Sequence, residues 1–108
     1  MIFPPMSEDD PAYWAAVFAG HVTVGIAMAS GAAWAGLPVW AAPILYLAVW
    51  ECMVQRVGAG WRDALVDTWA VALGCGIIWA AWQQWAPGIA TGLVAGAVSV
   101  AVGMWRRA

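Results

Sequence analysis

The chain has 108 residues, a length that suits one compact domain, and 65% of them are hydrophobic while 9% are charged. Soluble domains carry about 25% charged residues, so this composition excludes a water-soluble fold with a polar surface and favours lipid as the solvent. With no lysine, four arginines and a net charge of -2, the chain offers no basic face for nucleic acid. We expect residues 1–10 to form an exposed acidic tail and residues 11–108 to form a single transmembrane domain.

Two long runs without a formal charge follow the tail. Pro11–Trp50 and Thr68–Trp105 contain no Asp, Glu, Lys or Arg. At about 1.5 Å of rise per helical residue, each run is long enough to cross a hydrocarbon core of about 30 Å twice. Each is interrupted near its middle by a Pro/Gly turn signal, Ala35–Pro38 in the first and Trp85–Gly88 in the second. The sequence therefore predicts an all-α polytopic membrane protein, a four-helix transmembrane bundle made of two helical hairpins.

Local signals set the expected helix ends. Asp10 is a candidate N-cap for helix 1, with Pro11 at the first helical position. Pro43 is expected to kink helix 2 or to delay its start, and Gly58–Gly60 to end it. We place the four helices at about 11–35, 38–57, 61–85 and 88–106.

The arginines predict the topology. Four crossings bring the N-terminus, the loop at 56–62 and the C-terminus to one side of the membrane. That side then holds all four arginines: Arg56, Arg62, Arg106 and Arg107. By the positive-inside rule it is the cytoplasm, so the expected location is the bacterial inner membrane with both termini cytoplasmic. Tryptophans near the predicted helix ends are typical of the aromatic belts at the two lipid interfaces.

Ionisable residues at membrane depth are the candidate site. His21, Glu51 and Asp67 lie on three predicted helices, each about 7–10 Å inside the same face by helical rise. An ionised carboxylate in lipid costs about 2.5–3.5 kcal/mol, so such groups turn inward and find partners. We therefore expect these three side chains to form one cluster. The full set of candidate ligand or proton-site residues is His21, Glu51, Gln55, Arg62, Asp63 and Asp67.

The alternative for this cluster is a structural clamp that ties helices 1, 2 and 3 together without chemistry. The sequence has no HExxH-type or cysteine metal spacing, so we expect neither a metal site nor a cofactor. It also has no nucleophile–base arrangement and no phosphate loop, so it assigns no reaction. Cys52 and Cys75 lie in apolar runs and are expected to be free buried thiols.

Helix 4 carries glycines at a spacing that lets another backbone approach closely. These candidate helix-packing residues are Gly88, Gly92, Gly96 and Gly103. They are expected to pack against the partner helix of the same hairpin. The alternative is a surface through which the chain forms a homo-oligomer in the bilayer.

The segments HVTVGIAMA, starting at His21, and YLAVWECMVQRVGAGWRDALVDTWAVALG, starting at Tyr46, together resemble the VanZ-like membrane proteins and related small phage membrane proteins. The residues that match this pattern are His21, Glu51, Gln55, Arg62, Asp63, Asp67 and Gly74. The resemblance covers about residues 21–76. It implies a membrane site that faces the cytoplasm, in a family associated with the cell envelope and with resistance to the glycopeptide teicoplanin.

Three functions remain open at the level of sequence. The first is a VanZ-like membrane protein whose His/Glu/Asp site binds or processes an envelope-related ligand. The second is a holin-like phage lysis protein, for which a small chain with several helices and small-residue stripes is typical. The third is an accessory subunit that docks on a larger membrane complex.

Overall fold

The computed structural model describes residues 10–49 and 61–108, and for Trp61 and Asp63 it describes the backbone only. Four helices form within these ranges: α1 (Pro11–Trp34), α2 (Ala41–Leu45), α3 (Trp61–Trp82) and α4 (Ala86–Arg107). The described part of the chain contains no strand. The predictions for residues 1–9 and 50–60, among them the loop at Gly58–Gly60, lie outside it.

Three of these helices are long and apolar enough to cross a membrane. They are Pro11–Trp34, the Ala64–Trp82 part of α3, and Ala86–Arg107. Helices of 22 to 24 residues are about 33–36 Å long, which exceeds a hydrocarbon core of about 30 Å. These helices confirm the prediction of an all-helical protein with helices long and apolar enough to span a membrane.

The first helix begins and ends close to where the sequence predicts. The Asp10 carboxylate accepts a hydrogen bond from the Tyr13 N–H at 2.9 Å, and Pro11 follows it at the first helical position, which confirms the predicted N-cap. At the other end, Gly36 adopts a left-handed φ of 80°. The N–H groups of Gly36 and Leu37 then bond back to Ala33 O and Ala32 O, the pattern of a Schellman motif.

The second helix differs from the prediction. Its α-helical part covers only Ala41–Leu45, and residues 46–49 continue it as π-helix. The start at Ala41 rather than residue 38 makes Pro43 the third helical residue, where the missing N–H removes no intrahelical bond. The rest of the predicted helix, 50–57, lies outside the described residues.

The turn between α3 and α4 lies earlier than predicted. The sequence suggested a break at Trp85–Gly88, but the chain turns at residues 83–85 and Pro87 is the second residue of α4. The prediction was wrong because proline is compatible with the first turn of a helix and therefore does not mark the turn itself. Gln84 takes a φ of 54°, the only non-glycine residue in the described part to have a positive φ.

The helices α1 and α3 form the centre of the molecule and run parallel. His21 lies beside Asp67, and one turn further along, Gly25 lies against Val71. The helix backbones are so close that a Cβ atom at Gly25 would overlap the Val71 carbonyl oxygen. A Cβ atom at Gly74 would overlap the carbonyl oxygen of Val22 in the same way. Only glycine fits at these two positions.

The other two helices pack on this central pair. α4 runs antiparallel to α3: the Trp69 indole N–H donates to Ser99 Oγ at 3.0 Å, and further along Gly92 faces Ile77. α4 also contacts α1, while α2 contacts α1 and α3. Tyr46, which follows α2, is buried in the same cluster as Ala29 and Cys75.

The completely buried residues are small or medium-sized, while many large apolar residues face outward. Ala29, Ala70 and Val71 are completely buried. The opposite pattern holds outside, where the large hydrophobic residues that are at least half exposed are Trp34, Leu37, Trp40, Ile44, Leu45, Leu65, Trp85, Leu93, Val94, Val98 and Trp105. Small residues at helix contacts and large apolar residues facing outward are the arrangement expected when lipid is the solvent.

Candidate functional site

The structure brings His21 of α1 and Asp67 of α3 together. The His21 Nε2 atom lies 3.5 Å from Asp67 Oδ2, and the two side chains are 18% and 19% exposed. Both residues belong to the candidate set taken from the sequence, and their contact follows from the parallel packing of the two helices. The pair is therefore a polar link across the central helix contact of the molecule.

The other imidazole nitrogen of His21 makes a hydrogen bond within α1. His21 Nδ1 lies 2.8 Å from the Val17 carbonyl oxygen. Because a carbonyl oxygen only accepts, Nδ1 must carry a proton. Both ring nitrogens therefore face protein atoms, Nδ1 the Val17 carbonyl oxygen and Nε2 the Asp67 carboxylate.

An aromatic ring from the residue that follows α2 packs on the same histidine. The Tyr46 ring meets the His21 ring edge to face, with centroids 5.9 Å apart and an interplanar angle of 89°. Tyr46 is only 5% exposed, so this ring contact is buried within the fold. Tyr46 is not among the site residues predicted from the sequence. Its signal was its rarity, since the chain has two tyrosines, and its position in the run that leads to Glu51.

A pocket of about 210 Å³ lies beside Asp67, between α1, α3 and α4. Asp67 contributes to its lining, whereas His21 does not. The residues of the lining that carry charge, aromatic rings or both are Trp14, Phe18, Asp67, Trp69, Arg106 and Arg107. The pocket therefore combines one carboxylate, two guanidinium groups and three aromatic side chains.

Arg107 is fixed at this pocket by two contacts. Its guanidinium carbon lies 4.4 Å from the centroid of the Trp14 ring, a cation–π arrangement, and its Nη1 donates to Gly103 O at 3.0 Å. Gly103 is buried beneath the same ring, and a Cβ atom there would overlap it. From the sequence, Arg106 and Arg107 were predicted only to mark the membrane topology. The spacing of Gly103 and Arg107, four residues apart on one helix face, was the indication that was missed.

The remaining candidates are Arg62, Asp63, Glu51 and Gln55. Arg62 is exposed in the first turn of α3. The side chain of Asp63 is among those not described, and Glu51 and Gln55 lie outside the described residues. The expected contribution of Glu51 to the cluster therefore stays a prediction.

The candidate packing glycines of α4 have different surroundings. Gly88 lies against Trp85 and Ala80, Gly92 against the Ile77 side chain, and Gly103 against Trp14. Gly96 is different, because no described atom beyond its own helix lies within 4 Å of where its Cβ would be.

Within residues 10–49 and 61–108 there is no group of three or more His, Cys, Asp or Glu side chains that would suit a metal ion. Cys75 is a free, buried thiol, as expected, and its sulfur donates to Gly25 O at 3.4 Å. Cys52 lies outside the described residues. The polar chemistry of the described site thus consists of the His21–Asp67 pair and the charged pocket beside it.

Comparison with known proteins adds no family. No family model, curated protein or solved structure matches this chain.

Proposed function

We propose that this chain is a small integral membrane protein of bacterial or phage origin, of the VanZ-like class, which binds an envelope-related ligand at the His21–Asp67 pair and the adjoining pocket. The observation that carries the proposal is the His21–Asp67 pair itself. Its two residues lie on helices that are otherwise almost entirely apolar along the segments long enough to span a membrane. Ionisable groups inside membrane helices are costly, and they commonly mark a path or a binding site. The pair also borders a pocket large enough to admit a small polar group.

In this proposal His21 positions Asp67. Its Nδ1 donates to Val17 O, which orients the ring, and its Nε2 lies 3.5 Å from Asp67 Oδ2. Asp67 faces both the histidine and the pocket, so it is the group through which the pair meets a ligand.

The proposed topology is four membrane spans with both termini in the cytoplasm of a bacterial inner membrane. The contact of Trp14 with Arg107 supports it, because it joins the start of α1 to the end of α4. Reporter fusions at Gly36, Gly58 and the C-terminus test the topology. We expect a periplasmic signal at Gly36 and cytoplasmic signals at the other two sites, and a periplasmic signal at Gly58 contradicts it.

The function is tested with substitutions that keep the shape of the pair. Asp67→Asn and His21→Gln remove the ionisable groups while retaining much of the hydrogen-bonding capacity. We expect both variants to lose the cellular phenotype, measured as tolerance to teicoplanin, while thermal stability in detergent stays close to that of the parent chain. Thr91→Val is the control, because the Thr91 hydroxyl bonds only to its own helix at Pro87 O, far from the pair. A parental phenotype in both site variants would show that the pair is a structural clamp.

A holin-like lysis function is the second candidate, and the exposed face of α4 favours it. Val94 and Val98 are 61% and 56% exposed, and Gly96 has no described neighbour on its open side. Such a face suits self-association in a membrane. Expression in bacteria is then expected to collapse the membrane potential abruptly and to release a co-expressed lysin. Sustained growth with an intact potential at high expression would contradict this function.

A further inference from the structure

The pocket between α1, α3 and α4 carries an exposed arginine at its outer end. Arg106 lines the pocket, and among the described residues it makes no hydrogen bond, ion pair or ring contact with another side chain. Its neighbour Arg107 is different, because its guanidinium group is engaged within the protein by the Trp14 ring, the Gly103 carbonyl and further contacts. Arg106 therefore supplies the accessible positive charge of this pocket.

The packing of α4 on α3 sets the height of Arg106. The hydrogen bond between Trp69 and Ser99 fixes the register of these two antiparallel helices. Arg106 lies seven residues beyond Ser99 on α4, which corresponds to about 10 Å along the helix axis. Arg62 lies seven residues before Trp69 on α3, so it is level with Arg106. Asp67 is only two residues from Trp69, so it lies deeper in the fold than Arg106.

The groove between Arg106 and the level of Trp69 is apolar. Val66 of α3 and Val102 of α4 line it, and both are exposed, as is Trp69 itself. Next to Arg106, the exposed Trp105 side chain is of the kind that lies at the headgroup level of a bilayer. A phosphate at Arg106 therefore has an apolar surface directly beneath it. This surface suits an acyl chain and offers little to a soluble phosphate.

We propose that this groove binds an anionic phospholipid, with the phosphate at Arg106 and one acyl chain along Val66 and Val102. Basic pockets between membrane helices are typical sites for anionic headgroups, and a planar guanidinium group matches the oxygens of a phosphate. The assignment rests on Arg106 and the apolar groove. It does not depend on the His21–Asp67 pair and goes beyond the function proposed above.

The test is native mass spectrometry of the whole chain, released from an uncharged detergent. Phosphatidylglycerol and phosphatidylethanolamine with the same acyl chains are added in equal amounts, so that the two lipids differ in their headgroups and net charge. Glycerol 3-phosphate, added in excess, is the soluble form of the same anionic chemistry. The measurement is the ratio of the two lipids in the complex that holds one lipid.

We expect phosphatidylglycerol to exceed phosphatidylethanolamine by about 5-fold, the preference that one arginine provides near an anionic headgroup. Glycerol 3-phosphate is expected to leave this ratio unchanged, because it has no acyl chain to place in the groove. Equal amounts of the two lipids would overturn the proposal. Displacement of phosphatidylglycerol by glycerol 3-phosphate would also overturn it, because the site would then be one for a soluble anion.

Variants locate the site. Arg106→Gln is expected to bring the ratio of the two lipids close to one. Arg62→Gln is the matched control, because it removes the same charge at the same height from a residue that does not line the pocket, and it should keep most of the preference. Equal losses in both variants would show a general attraction to the charged end of the bundle and would overturn the groove as the site.

Two further variants separate the groove from the pair. Val102→Phe fills the apolar part while Arg106 remains, and it is expected to reduce the amount of phosphatidylglycerol bound. An unchanged amount would place the acyl chain elsewhere and contradict the proposal. Asp67→Asn is expected to keep the preference for phosphatidylglycerol even where it removes the cellular phenotype, so failure of the lipid site and failure of the proposed function give different results. Thermal unfolding in detergent confirms that each variant is folded.

Discussion

The contact between α1 and α3 and the outer face of α4 use glycine in opposite ways. At the α1–α3 contact, Gly25 and Gly74 face the backbone of the neighbouring helix so closely that neither position admits a Cβ atom. On the outer face of α4, Gly96 has open space beside it and large apolar residues around it. In lipid the hydrophobic effect does not drive one helix face against another, so close packing has to hold the helices together. A glycine contributes to that packing only where the backbone of a second helix lies against it.

The largest effect is expected at the α1–α3 contact. Gly25→Ala and Gly74→Ala each place a methyl group against a backbone carbonyl, which cannot rotate away, so the two helices must separate. We expect each change to lower the free energy of unfolding by about 3 kcal/mol or more, the upper range for overpacking. Unfolding in mixed micelles with increasing sodium dodecyl sulfate provides the measurement.

Gly20→Ala and Gly31→Ala are the matched controls on α1, because no described atom outside their own helix lies within 4 Å of the added methyl group. They are expected to change stability little or to raise it slightly. Similar losses at Gly20 and Gly25 would mean that helix flexibility, rather than the close contact, explains the effect.

The sequence contained a signal for the contact between α1 and α3. It differs from the glycine series of α4, on which the prediction of helix packing was based. Gly25 and Ala29 are four residues apart on α1, as are Ala70 and Gly74 on α3, and both alanines are completely buried. Each pair is a small-xxx-small pattern. The glycine series of α4 is longer and more conspicuous. Such a pattern indicates that another helix can approach closely, but it does not identify which helix does so. The partner depends on the tertiary arrangement.

The candidate site, like the helix packing, was predictable only in part. Equal depth along two helices was enough to anticipate that His21 and Asp67 meet, because helical rise converts residue number into height. The charged pocket was not anticipated, because it depends on which helix faces pair. Trp14 and Arg107 lie at opposite ends of the sequence and meet only because α4 packs against α1.

The second prediction concerns the polar link across the same helix contact. Asp67→Leu leaves the Nε2 side of His21 without its partner in a half-buried place, and we expect a loss of about 1–3 kcal/mol in the free energy of unfolding. The double variant His21→Leu/Asp67→Leu also removes the imidazole that Asp67→Leu leaves without its carboxylate, so it should recover part of this loss. Additive losses in the double variant would contradict a direct interaction between the two side chains.

The third prediction compares the two turns that end α1 and α3. Both end in the same hydrogen-bond pattern, since Gln84 N–H bonds to Ala81 O and Trp85 N–H to Ala80 O, but the left-handed position holds Gly36 in one and Gln84 in the other. A left-handed conformation costs a non-glycine residue about 1–2 kcal/mol, partly offset by the entropy that glycine loses on folding.

Gln84→Gly is therefore expected to stabilise the protein by about 0.5–1 kcal/mol and Gly36→Ala to destabilise it by about 1 kcal/mol. Thermal unfolding in detergent should shift the two midpoints in opposite directions. A lower midpoint for Gln84→Gly would show that the glutamine side chain contributes more than its backbone conformation costs.

The smallest effect is expected on the outer face of α4. Gly96→Ala adds a methyl group where nothing in the described chain meets it and removes a residue with poor helix propensity, so stability should rise by between zero and about 1 kcal/mol. Gly96→Leu should be tolerated equally by the folded monomer, because lipid yields to a larger side chain where a second helix does not. The same substitution disrupts a contact between copies of the chain if this face forms one. Measuring the stability and the oligomeric state of Gly96→Leu together therefore shows whether Gly96 faces lipid or a second copy of the chain. Unchanged stability with loss of oligomers identifies a helix of a second copy at Gly96. If neither the stability nor the oligomeric state changes, Gly96 faces lipid.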